Sequence, residues 1–187
     1  MKKRDTFLIL FSLVTLLITA WFADWTGVYP YWRSALLAVG GYIILYLEAL
    51  IHEGGHVLAG KRFGVRVAKL QFGVGLKVKR FTAARLDHAQ ITFCLLPFGG
   101  RVDFESLPIS RAERIRILAA GVVCVLSAVP IAWFLIPSSV GWLRIEAVLI
   151  FCISSATNVF YSTSRKVCEE EGVYSDGQAI RGLLRYS

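Results

Sequence analysis

The sequence predicts a membrane protein, mainly α-helical, with about four transmembrane helices and a small cytoplasmic β element between the second and third. Three observations carry that prediction. Of the 187 residues, 56% are hydrophobic, and the mean hydropathy is +0.58, too high for an ordinary soluble domain of this size. The apolar residues fall in long blocks, at Phe7 to Phe22, Ala35 to Leu50, Ile117 to Ile136 and Val148 to Phe160. The positive charge is one-sided: in a four-span arrangement nineteen of the 21 basic residues share one face, and only Arg33 and Arg144 remain for the other.

Each element follows in order. A helix rises ~1.5 Å per residue, so about 20 residues cross a hydrocarbon core of about 30 Å. The first span covers about 6–24, behind Lys2, Lys3 and Arg4; Trp21, Phe22 and Trp25 crowd the place where a signal peptide would be cut, so an uncleaved anchor is expected. A short outer loop rich in aromatics leads to the second span, about 34–60. From about 65 to 104 the pattern changes. Val65, Val67, Leu70, Phe72, Val74, Leu76 and Val78 are spaced mostly two apart, and Ile91, Phe93 and Leu95 repeat the alternation, which reads as strands at the membrane surface. Pro97-Phe98-Gly99-Gly100 breaks the pattern. Ser110 and Glu113 form a capping-box signal ahead of the third span, about 115–136. The fourth, about 142–163, reaches spanning length only with Glu146 near one end. A polar segment, 164–187, ends the chain with Asp176-Gly177 and a short helix. All of this is expected to form a single polytopic domain, residues 1–187.

The charge asymmetry orients the helices with both termini and the long central loop in the cytoplasm, and lets the basic surface face a lipid bilayer. It does not indicate nucleic acid, for which no recognition module is present. The cysteines, Cys94, Cys124, Cys152 and Cys168, form no C-x-x-C pair and read as structural thiols.

His52-Glu53-Gly54-Gly55-His56 carries the chemistry. Positions four apart share a helix face, so both imidazoles can reach one Zn2+ ion, while Glu53 projects beside them as a general base. Ionisable groups continuous with an apolar helix are expensive unless they function or pair. Gly54 and Gly55 let another backbone, from a neighbouring helix or a substrate, approach closely. Glu48, one turn before His52, reads equally as an orienting partner of that imidazole and as an interhelical hydrogen-bonding group.

His52 to His56 at the cytoplasmic end of a span resembles the site-2 protease family of intramembrane zinc metalloproteases. Phe72 to Leu76, Leu96-Pro97-Phe98-Gly99-Gly100-Arg101-Val102, and Ala119-Ala120-Gly121 are similar to that family's glycine-bearing strand, its turn and the start of its next core helix. Arg101 stands where the family has tyrosine, and the proline after Gly121 is missing. The resemblance implies that Asp176, in the Asp-Gly pair of this chain, is the third metal ligand. It also implies that Asn158, with Gly99 and Gly100, contacts substrate. The family's proline after the asparagine is absent here, and Asp176 follows Asn158 by eighteen residues rather than a few.

The function expected is a zinc-dependent intramembrane endopeptidase acting on a membrane-protein or membrane-peptide substrate. The substrate would be unwound into a strand that pairs with the β element. The alternative from another class is a non-catalytic membrane protein that binds a metal or a partner. A regulatory membrane partner is compatible with either. Size and resemblance point to an integral, multi-pass protein of a prokaryotic plasma membrane.

Overall fold

A computed structural model describes residues 31–86, 88–106, 110–136, 139, 141, 144–145, 148–149, 151–153, 156 and 176–185. The expected first span lies outside the described residues. The expected fourth is represented by helical residues scattered between 141 and 156.

Helix α1, Tyr31–Arg62, is continuous over 32 residues. Nothing in it breaks a helix, and Lys61 and Arg62 in the last turn face the negative end of its dipole. It stops at Gly64, whose φ of 70° closes the helix. The Val65 amide donates to the Gly60 carbonyl at 2.9 Å and the Gly64 amide to Lys61 at 3.1 Å, the paired bonds of a Schellman ending.

Helix α2, Arg111–Leu135, follows the hairpin described below. It begins where the capping signal predicts, but Ser110 makes no side-chain cap bond, so the expected capping box does not form. Among the described residues α2 is the one helix long and apolar enough to cross a membrane, and only 17% of its apolar window is buried. A soluble core helix would be the reverse. Val123, Leu126, Ile131, Trp133, Phe134 and Leu135 are exposed, as are Val39, Ile43, Leu47 and Leu58 on α1, so both helices turn apolar faces outward. Where they meet, Ile44, Val125 and Phe151 are buried together. Helix α3, Asp176–Arg185, packs against α2.

Strands β1, Val67–Ala83, and β2, Ala89–Phe104, form an antiparallel sheet, joined by a 3-10 turn at Ala84–Leu86. Both are long and their register shifts midway. Residues 77–83 pair with 89–94, while 69–72 have partners on both sides, at 100–103 and at 90–93. Pro97 to Gly100 therefore interrupts the register rather than the strand. Gly73 makes the crossover possible: its φ is 77°, and a β-carbon there would overlap the Leu96 carbonyl oxygen. Val57 of α1 joins Val67, Leu70, Phe72, Ala89 and Ile91 in a buried cluster that seats the sheet on the helix.

The sheet does not stay at the C-terminal end of α1. Tyr42 and Tyr46, one turn apart, donate their hydroxyls to the main-chain carbonyls of Leu95 and Cys94. Residues 94–95 thus lie against the middle of the helix, six to ten positions before His52. Strands expected at a membrane surface here run back along α1.

Candidate metal centre

His52 and His56 project from one face of α1, and Asp176, the first residue of α3, meets them from the far end of the chain. The Asp176 Oδ2 atom is 3.1 Å from Nε2 of His52 and 3.1 Å from Nε2 of His56, and the two Nε2 atoms are 3.2 Å apart. Three donors held ~2.0 Å from a tetrahedral ion are about 3.3 Å from one another, so this triangle is the size of one face of a zinc site.

Hydrogen bonding orients one of the two rings. His56 donates its Nδ1 proton to the Ile117 carbonyl at 2.7 Å, which leaves Nε2 of the neutral ring as a lone pair aimed at the cluster. Burial alone would raise the Asp176 carboxyl, but the adjoining imidazoles of His52 and His56 outweigh it and hold the group below the usual carboxylate range. A carboxylate and two imidazole nitrogens this close to one another share either a proton or a cation. The donor set, two nitrogens and one carboxylate with a fourth direction left for water, fits a catalytic zinc.

The neighbouring backbone leaves room for the cluster. A β-carbon on Gly121 of α2 would come within 2.5 Å of His56 Nε2 and 2.8 Å of His52 Nε2. Gly55 faces the same helix, where a β-carbon would lie 2.6 Å from the Ala120 carbonyl oxygen, so its small size serves helix packing. Gly54 has nothing within 4 Å.

Glu53 is buried beside the triangle, against Gly100 of β2. A β-carbon at Gly100 would sit 2.6 Å from Glu53 Oε1 and 2.7 Å from the Gln71 carbonyl oxygen, so only glycine lets the strand lie on the carboxylate. Gly99, at φ 66°, turns the chain just before it. Glu48 is buried one turn before His52, and of its two readings the orienting one gains no bond: His52 Nδ1 is buried with no hydrogen-bond partner among the described residues. Asn158 lies outside the described residues. The Ile117 carbonyl and the Tyr42 and Tyr46 hydroxyls are absent from the sequence-level expectation. The first is a main-chain atom with no residue signature, whereas tyrosines four apart inside an apolar span are a visible signal.

The sequence model of the family described as Peptidase family M50 matches residues 40–178, from mid-α1 to the start of α3. No curated protein matches the chain.

Proposed function

The chain belongs to peptidase family M50, the site-2 proteases, and from that membership we propose that it is a zinc-dependent intramembrane endopeptidase. The observation that carries the reading is the triangle of His52, His56 and Asp176, closed by residues 124 positions apart. These three would hold the zinc. When bound, the ion supplies Lewis acidity, polarising a peptide carbonyl and lowering the pKa of water toward neutrality.

The remaining work falls to this chain's own groups. Glu53, buried beside the ligands, takes a proton from the attacking water and returns it to the leaving amine. Gly100 lets β2 lie on the Glu53 carboxylate, which is buried. The substrate in this reading is a membrane-spanning segment, opened into an extended strand and presented along the hairpin. The exposed apolar faces of α1 and α2 support a multi-pass protein in a bilayer, and the one-sided basic residues support cytoplasmic termini.

Elemental analysis of purified wild type, Asp176→Ala and Glu53→Gln tests the proposal, together with turnover of a membrane-segment peptide. Near-stoichiometric zinc in wild type and Glu53→Gln, loss in Asp176→Ala, and cleavage by wild type alone are expected. If the zinc-loaded Glu53→Gln variant matched wild type in turnover, or if neither cleaved, the catalytic role of Glu53 would give way to metal or partner binding.

A further inference from the structure

The hairpin carries Lys77 at a depth where a lone ammonium is poorly tolerated, with Lys79 two residues nearer its turn. Register pairs Lys77 with Cys94, and the Cys94 carbonyl accepts the Tyr46 hydroxyl. Tyr46 precedes His52 by six residues, about 9 Å along the helix, and lies about 5 Å from the centre of the apolar block Ala35 to Leu50. Helix side chains lean toward the N-terminus, so the contact is no shallower than its Cα. In a bilayer whose hydrocarbon half-thickness is about 15 Å, headgroups are roughly 10 Å further out than Lys77. A four-carbon stem does not reach them.

No acidic partner answers the charge among the described residues. No acidic residue occurs from Gly54 through Leu86. Among the described residues Lys77 and Lys79 make no ion pair, and Lys79 Nζ instead lies 5.8 Å over the Phe81 ring. Residues 77–83 pair along one side only, with 89–94, and their other edge is unpaired among the described residues. Alternation puts Lys77 and Lys79 on one face of this edge and Leu76 and Val78, exposed at 72% and 64%, on the other.

We propose that Lys77 and Lys79 select a substrate segment bearing an acidic side chain, which they hold against the free edge of the hairpin. The inference rests on the protease reading and adds the chemistry of what is recognised. An extended substrate along this edge brings every second side chain over the two ammonium groups. A carboxylate over Lys77 gains a partner that neither water nor a headgroup supplies at that depth.

The test uses the full-length Glu53→Gln protein in phosphatidylcholine nanodiscs. The probes are three fluorescent synthetic single-span peptides that differ by Glu, Gln or Lys at one position of the cytoplasmic half. Anisotropy should give at least about tenfold tighter binding of the Glu peptide than of the Gln peptide. Lys77→Gln/Lys79→Gln should bring the two together with zinc content unchanged, and Lys77→Glu/Lys79→Glu should transfer the preference to the Lys peptide. Equal binding of all three, or a preference that survives both double variants, overturns the inference. So does a preference that appears only with added phosphatidylglycerol, which would make the lysines a lipid site. Cleavage of all three peptides at equal kcat/KM by wild type would remove the selection and leave the protease. Preferential binding without any cleavage would do the opposite.

Discussion

Gly54 and Gly121 are both helix glycines near the histidines, yet their surroundings separate them. At Gly121 an added methyl meets two ligand nitrogens, whereas at Gly54 it meets nothing. Gly121→Ala should therefore cut zinc affinity by about tenfold or more, because ligand rings displaced from a formed site lose the metal before the fold. Gly54→Ala should keep its zinc and gain up to ~1 kcal/mol of helix stability. Zinc titration and thermal unfolding in detergent check the pair, and equal zinc affinity in both variants would contradict the geometry. At this scale the sequence singled out the two histidines that the structure brings against Asp176, since a His-Glu-His window with the histidines four apart has few other uses inside an apolar helix. It did not show the Ile117 carbonyl that sets the tautomer of His56, because a main-chain acceptor on another helix leaves no trace in residue type.

The hairpin is the element whose path departs most from expectation. Alternation of Val67, Leu70, Phe72 and Val74 announced strands, but the shift around Gly73 and the contact with Tyr42 and Tyr46 depend on how the sheet meets α1. Periodicity describes a strand's two faces and is silent about what its carbonyls touch. Those carbonyls have few donors beside an apolar helix, and an unsatisfied buried acceptor costs ~1–3 kcal/mol. Tyr42→Phe/Tyr46→Phe should loosen the inner end of the hairpin, with faster amide exchange at residues 74–77 and 94–96, and leave zinc bound at His52 and His56. Unchanged exchange there would mean that the buried cluster around Phe72 holds the sheet without the tyrosines. Substrate positioned along the loosened edge should bind more weakly, raising KM more than it lowers kcat.

For the whole molecule, charge and hydropathy made the membrane character legible. Convergence of Asp176 on α1 was accessible only through family resemblance, because an Asp-Gly pair is common and its distance from His52 in sequence says nothing of its distance in space. The one-sided basic residues predict that the 3-10 turn at Ala84–Leu86 and the residue Ser139, beyond the end of α2, face opposite sides of the membrane. A cysteine placed at Ala84 should be labelled by an impermeant maleimide only in inside-out vesicles, and one at Ser139 only in right-side-out vesicles. Labelling of both from one side would refute the arrangement. The spacing of the ligands also bears on how the protein is made. His52 and His56 leave the ribosome 124 and 120 residues ahead of Asp176, an interval of roughly 6–25 s at ordinary rates of synthesis. Throughout that time α1 carries only two of the three donors, so on the protease reading the site stays incomplete until the end of the chain is made.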